Sequence, residues 1–328
     1  MAKGDFLIYK NTSNNADVLP NAGGTIDVAW DTEVIDEGSA ATYSAGTFTL
    51  TNTAPYLIMY TEKWSTTDVT NNQRIEGQGR LRLNGTTNLI EAASEGYIRK
   101  SSGQQSMVMQ GVSIVNATAG DTIDIRFYRG DTSTVGVVTR DAGFGGVQII
   151  ELDAADDFAR YSTNATNAMT STEANVSNWT NDEEETGFSR TTDTVTITNA
   201  GRYLMIFSGA TSETGTSRIG ATIFAENGTT PITGVRGYSH MRGAEGNQNG
   251  ALSFAAVIDV AASDTITLRS DCDSGGMTLD SGAKWQFWEL PSGNETAIME
   301  ATNGNMNASG DFAWDTLPQI DTAGFTAT

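Results

Sequence analysis

One cysteine, Cys272, and one histidine, His240, stand in a chain of 328 residues. A lone cysteine cannot close an intrachain disulfide, so this is not a disulfide-stapled secreted module and stability has to come from core size. Zinc needs His or Cys pairs at short spacing, and none is present. Positive charge is scarce as well: 19 Lys and Arg face 40 Asp and Glu, for a formal charge of −21. Such a surface repels phosphate backbones and anionic lipid, so neither nucleic acid nor membrane is an expected direct partner. No run approaches the roughly 18 apolar residues of a membrane span. The opening MAKGDFLIYKNTSNN also lacks the apolar stretch of about 7 to 15 residues that a signal peptide requires. With 5 Pro and 35 Gly there is no collagen period, and no segment sustains a helical period.

Thr, Ser, Asn and Gly fill the space left by a hydrophobic fraction of 38%, a composition that favours strands and turns. At about 100 to 150 residues per domain, two cores are expected. Self-comparison locates them. Ala29-Trp30-Asp31-Thr32 returns as Asn178-Trp179-Thr180-Asn181 and again as Ala313-Trp314-Asp315-Thr316. The segment from Phe48 through Asn52 and Tyr56 to Tyr60 matches that from Val195 through Asn199 and Tyr203 to Phe207. In the same order follow Asn84-Gly85 with Asn227-Gly228, Gly96-Tyr97 with Gly237-Tyr238, the strand opened by Gly120-Asp121-Thr122 with that opened by Ser263-Asp264-Thr265, and Gln148 to Leu152 with Gln286 to Leu290. Colinear matches over two segments of about 120 residues establish a duplication.

The matched segments read as strands. Thr47, Thr49 and Thr51 alternate with Phe48 and Leu50, and Thr194, Thr196 and Thr198 alternate with Val195 and Ile197, which puts the apolar set on one face. Asn-Gly between apolar runs is the type I′ hairpin signal, because that turn needs positive φ at both central residues. Short strands punctuated by turns make each repeat an all-β sandwich or barrel. The expected layout is an N-terminal arm over 1–24, a first domain over 25–153, a linker over 154–169, a second domain over 170–291, and over 292–328 a linker with the start of a third repeat or an assembly tail. Asp311 to Ile320 is expected to add to a sheet edge of another domain or to run extended along one.

The first repeat carries Tyr43-Ser-Ala-Gly46-Thr-Phe48-Thr49, Pro55-Tyr56, Asn84-Gly85, Gly120-Asp121 and Phe144-Gly145-Gly146; the second carries Ala200-Gly201-Arg202-Tyr203, Asn227-Gly228 and Ser263-Asp264. In order and kind these resemble the complement C1q and tumour-necrosis-factor-like jelly rolls, as found in phage decoration and fibre proteins. Two departures stand out: Phe144-Gly-Gly lacks the family's final aromatic, and the second repeat has Ala283-Lys284-Trp285 there. The resemblance implies two tandem ten-stranded jelly rolls plus an incomplete third repeat, packing as a homotrimer with aromatic residues at the subunit contact.

Reactive groups are sparse. The place of His240 is taken in the first repeat by Ile98-Arg99, which excludes a duplicated histidine site, and no catalytic residue is assigned. Cys272 lies between Asp271 and Asp273, acids that raise a thiol's pKa. Asp271 and Asp273 imitate the opening of a calcium loop, but Gly282 stands where the bidentate Glu belongs, so a strand-connecting turn is the simpler reading and calcium the weaker one. Arg129-Gly130-Asp131 and several Asn-x-Thr sequons are the sort of match that composition alone supplies. The run from Asp182 to Glu185 reads as a solvated loop. Trp30, Trp179 and Trp314, together with Tyr56 and Tyr203, are the candidates for assembly contacts, while the plainer reading of the tryptophans is that each plugs its own sandwich.

The sequence therefore points to a non-enzymatic structural protein of a virion, made in a host cytoplasm without cofactor: a trimeric bacteriophage capsid decoration, fibre or appendage subunit, with itself and other virion proteins such as the major capsid protein as partners. A bacterial surface adhesin or carbohydrate-binding module is one alternative, and a double-jelly-roll major capsid protein another.

Overall fold

A computed structural model describes residues 5–13, 17–20, 24–67, 74–99, 105–129, 137–152, 157–184, 187–213, 218–242, 249–274, 276–290, 297–300 and 316–320. In the first repeat one sheet runs in the order Thr32–Glu37, Phe6–Asn11, Gly145–Glu151, Ala54–Ser65, Ser106–Ala117, and the facing sheet in the order Ala41–Ser44, Thr47–Leu50, Thr122–Arg129, Arg74–Leu83, Thr87–Arg99. The second repeat has the same two orders: Trp179–Glu184, Phe158–Thr163, Lys284–Glu289, Gly201–Glu213, Asn249–Val260, faced by Phe188–Arg190, Thr194–Ile197, Asp264–Cys272, Arg218–Asn227, Thr230–Arg242. Every ladder is antiparallel, and the strand order interleaves early and late segments, which is the jelly roll. Each repeat is thus a jelly roll with its own core between two facing sheets, to which the short strands 25–27 and 139–140 in the first repeat and 167–169, 174–175 and 277–279 in the second also belong.

Alternation does what it is expected to do. Phe48, Leu50, Tyr56, Ile58 and Trp64 are wholly buried, and so are Val195, Ile197, Tyr203, Met205 and Phe207 in the other repeat. Each such side chain contributes about 1.5–3 kcal/mol through burial. The repeated motifs also touch one another. Asn84 accepts the Thr122 N–H at 2.9 Å and donates to Asp121 at 2.9 Å, and Asn227 donates to Asp264 at 2.6 Å. The hairpin asparagine and the turn aspartate, about 37 residues apart, therefore form one joint in each repeat. At the first tip Asn84 and Gly85 have φ of 53° and 68°, as a type I′ turn requires. At the second, Asn227 still pairs with Thr230 and the loop is Gly228-Thr229, with Gly228 at φ 62°.

Two expected boundaries are corrected. The arm over 1–24 holds Phe6–Asn11, which pairs residue for residue with Gly145–Glu151 and, on its other side, with Thr32–Glu37. The linker over 154–169 holds Phe158–Thr163, which pairs with Lys284–Glu289 and Trp179–Glu184. Both segments are first strands of sandwiches. They share Phe-x-x-Tyr, at Phe6-Tyr9 and Phe158-Tyr161, a short signal upstream of the tryptophans where the stronger matches begin. The acidic run is corrected too: Asp182 to Glu184 belongs to strand 179–184, and Asp182 is met by Lys284 at 2.6 Å and Arg160 at 3.8 Å. Glu185 lies outside the described residues.

The segment over 292–328, expected to hold a linker with the start of a third repeat or an assembly tail, contains two described strands. Ala297–Glu300 pairs with Thr316–Ile320, as Ala297 with Ile320, Ile298 with Gln319 and Glu300 with Thr316, with a register shift between Ile298 and Glu300. In the first repeat Lys10 pairs with Thr32, Tyr9 with Glu33 and Ile8 with Ile35, with the shift between Ile8 and Tyr9. Thr316 and Thr32 each follow their tryptophan by two residues. The bulge thus falls at the same distance from the tryptophan motif in the pairing of Ala297–Glu300 with Thr316–Ile320 as in the opening strands of the first repeat. Among the described residues Thr316–Ile320 pairs with Ala297–Glu300 and not with the sheet edge of another domain as expected; Asp311 to Asp315 lie outside the described residues.

One core position is filled in two ways. In the first repeat Glu62 and Arg140, both with side chains 0% exposed, form an ion pair, and Arg140 lies 4.6 Å over the Trp30 ring and also reaches Asp17 at 3.2 Å. Matching the registers of strands 54–65 and 201–213 puts Gly209 where Glu62 is, Leu279 where Arg140 is, Ala283 where Gly145 is and Trp285 where Val147 is. Trp285 then packs 5.3 Å from Trp179, taking the place of the guanidinium over the repeated tryptophan. A Cβ on Gly145 would strike Glu62, and one on Gly209 would strike Leu279 and Ala283. The four residues in each repeat are a matched set.

Candidate functional site: the contact between the repeats

The first repeat sets an edge against a face of the second. Strands Thr87–Arg99 and Ser106–Ala117, at the open side of the first sandwich, lie against Gly201–Glu213, Asn249–Val260 and Lys284–Glu289. At the centre one side chain stands in for a strand. Gln286, 1% exposed, accepts the Ile114 N–H at 3.0 Å and donates to the Ile114 carbonyl at 2.9 Å and to Ser113 Oγ at 3.1 Å. The amide thereby satisfies both backbone groups of an edge-strand residue, which would otherwise be stranded on burial.

An apolar stripe flanks this bond. Ile114, Leu152, Phe158, Ile206 and Trp288 are buried together, with Leu57, Val112, Ile150, Leu204 and Leu290 packed around them. These are the outward positions of their strands, set apart from both sandwich cores by the period of two. Beside the stripe a cleft of about 430 Å³ opens between the two faces, lined by Met59, Thr61 and Gln148 of the first repeat and Ser208, Ser253 and Ala255 of the second, among others.

The side chains singled out from sequence lie elsewhere. Trp30 and Trp179 are 3% and 2% exposed, and Tyr56 and Tyr203 are 0% exposed, all inside their own sandwiches. None of the four presents a surface for assembly, because inward alternation commits each to its core. The Trp179 indole donates to the Val176 carbonyl at 3.1 Å. The Tyr56 and Tyr203 hydroxyls donate to the Asn52 and Asn199 carbonyls at 3.1 and 3.2 Å, which accounts for the Asn-x-x-x-Tyr spacing of the strongest sequence match. Trp314 lies outside the described residues. The aromatics that do sit between like domains are Trp288 and Phe158. The residues that carry the contact, Gln286 and Ile114, were not singled out, although the repeated Gln148 and Gln286 held the signal.

Asp271 and Asp273 lie at the end of strand Asp264–Cys272. Asp273 accepts the Gly220 N–H at 3.0 Å, a structural use of the carboxylate, and among the described residues no three His, Cys, Asp or Glu side chains converge on one point. Cys272 is buried, and burial, then Asp271 and Asp273, push its thiol up. His240 is exposed on strand 230–242. Arg129 is 0% exposed, so the first residue of Arg129-Gly130-Asp131 is held inside the sandwich; Gly130 and Asp131 lie outside the described residues.

The buried phenols make stability fall in alkali. Burial is the largest influence on Tyr56 and pushes it up to about 12, with Glu151 also raising it, and burial pushes Tyr203 up as well. A raised folded-state pKa leaves the stabilisation intact below the ordinary phenol value of about 10 and removes it as pH climbs through the folded value. Urea unfolding should therefore show a midpoint that is flat near pH 9 and declines between about pH 10 and 12. In Tyr56→Phe the first repeat should start about 1 kcal/mol lower and decline less; an unchanged alkaline slope would count against this assignment.

No protein-family model matches the chain, and no curated protein matches it. Among solved structures, murine APRIL at pH 5.0 is similar at 17% identity over 41% of this chain and 99% of that one, with a TM-score of 0.33. Eiger TNF from S. frugiperda is similar at 13% identity over 46% of this chain and 99% of that one, with a TM-score of 0.35. The class of the protein, a tandem jelly-roll chain whose domains join edge to face, is defined by its own strand order and pairing.

Proposed function

We propose that the chain is a non-enzymatic structural subunit of a tailed-bacteriophage particle, serving as a capsid decoration, fibre or appendage. The observation that carries this reading is the join itself: like domains seated edge to face through a backbone-reading glutamine and an apolar stripe, an arrangement suited to building from repeated units. Supporting it are a solitary exposed histidine and a buried thiol with a raised pKa, which leave nucleophilic catalysis without a poised nucleophile–base pair. The charge of −21 favours protein partners, namely further jelly rolls and other particle proteins such as the major capsid protein, over nucleic acid. Its home on this reading is the virion. Mass spectrometry of particles purified through a density gradient should find the chain at fixed stoichiometry to the major capsid protein; its absence from particles would sink the assignment.

A further inference from the structure

The cleft beside the join is neutral in an acidic protein. The chain carries a formal charge of −21, yet no charged side chain is among the described residues that line this cleft. Lys284, cross-strand from Ser208, is held by Asp182 at 2.6 Å, and Lys63, two residues beyond Thr61, is held by Asp141 at 3.0 Å. The volume of about 430 Å³ falls in the range of small-molecule sites, about 300–1,000 Å³. We propose that the cleft is a binding site for a neutral mono- or disaccharide, held by the Gln148 amide and the Thr61, Ser208 and Ser253 hydroxyls.

Each of these four groups both donates and accepts. Gln148 and Thr61 stand on the first repeat's wall and Ser208 and Ser253 on the second's. Ser208 pairs directly with Ser253 across its ladder, which sets the two hydroxyls side by side on one face. Among the described residues none of the four side chains has a hydrogen-bond partner. Gln286 shows the contrast. Val147 pairs with Tyr60 as Trp285 pairs with Phe207, so Gln148 holds the place of Gln286, whose amide is spent on Ile114 and Ser113. Between the polar groups the walls are apolar, at Met59, Val112 and Ala255.

The ligand class follows from what this lining can satisfy. A cation meets no carboxylate on the lining, and an anion is opposed by the field of the whole chain. A purely apolar molecule would cover the four polar groups and leave them unpaired. A peptide strand offers its N–H and C=O along one line, which the single amide of Gln286 reads, whereas these groups are divided between two walls. A pyranose carries hydroxyls around its rim, each a donor and an acceptor, and C–H surface on its faces. It therefore meets the hydroxyls and the amide at its rim and Met59 and Val112 with a face. The inference concerns the cleft and stands independently of the particle assignment.

The test is a nuclear magnetic resonance titration of the 328-residue chain with lactose, maltose, cellobiose and N,N′-diacetylchitobiose, and with 3′-sialyllactose as the charged counterpart of lactose. At least one neutral sugar should shift the Gln148 side-chain amide and the Thr61 and Ser253 backbone amides saturably. Gln148→Ala and Ser253→Ala should each weaken that sugar about tenfold, the loss of one hydrogen bond. Ala255→Trp, filling the cleft from one wall, should abolish binding. Gln148 and Ala255 are exposed and Ser253 is partly so, so all three variants should keep the wild-type melting midpoint, which calorimetry checks. Four results would each overturn the site: no shift with any neutral sugar; binding unchanged in Gln148→Ala and Ala255→Trp; tighter binding of 3′-sialyllactose than of lactose, through Lys10 beside Gly146; or the same shifts on raising protein concentration without sugar, which would give the cleft to a second copy of the chain.

Discussion

Arg140→Leu is expected to destabilise the first repeat by about 3–5 kcal/mol, the usual cost of leaving a buried charge without its partner. The loss should fall on this repeat's own unfolding transition, lowering its midpoint by about 10 °C. Glu62 sits in a core with no other cation at hand among the described residues, and the Ala29 carbonyl and the Trp30 face lose their partner as well. The pair is not required by the fold, because the second repeat fills the same space without charge. Replacing the whole set, as Glu62→Gly, Arg140→Leu, Gly145→Ala and Val147→Trp together, should therefore recover most of the loss, whereas the four single costs summed would predict a far worse protein. Calorimetry of the single and the quadruple variants decides it. If Arg140→Leu unfolds at the wild-type midpoint, or if the quadruple variant is no better than the single, the account of a matched set is wrong.

The second large effect is expected at the join. Gln286→Ala removes both partners of the Ile114 peptide group, and each stranded backbone group costs about 1–3 kcal/mol if it stays buried. The repeats can avoid that cost by parting, so the expected result is uncoupling: two unfolding transitions in place of one shared transition, and fast exchange of the Ile114 amide. Gln286→Glu keeps an acceptor for the N–H and loses the donor for the carbonyl, so it should fall between the two. A Gln286→Ala protein with Ile114 still protected would mean that the apolar stripe of Ile114, Ile206 and Trp288 holds the contact without the amide.

These two sites differ in how visible they are in the chain. The Asn84 and Asp121 joint, the Tyr56 and Tyr203 hydroxyl bonds and the inward alternation of strands 47–50 and 194–197 are local in their demands, so the two repeats keep the same residue types and self-comparison finds them. The Glu62 and Arg140 pair defeats that comparison, because the second repeat meets the same volume with Gly209, Leu279, Ala283 and Trp285. First strands 6–11 and 158–163 escape for another reason: one partner of each lies more than a hundred residues away, at 145–151 and 284–289, and such a distant ladder leaves little mark beyond Phe-x-x-Tyr.

By itself the sequence determined the duplication, the all-β class, the turn positions and the inward faces, since strand period, positive-φ turns and repeated spacing are properties of neighbouring residues. Only the tertiary structure decided that the tryptophans are core plugs, that Gln286 reads the backbone of Ile114, and that the two sandwiches meet edge to face. Those facts depend on which surfaces remain after each core has closed. An outward Gln148 and an outward Gln286 look the same along the chain, and what separates them is that a neighbouring domain's edge strand has been laid across one and not across the other.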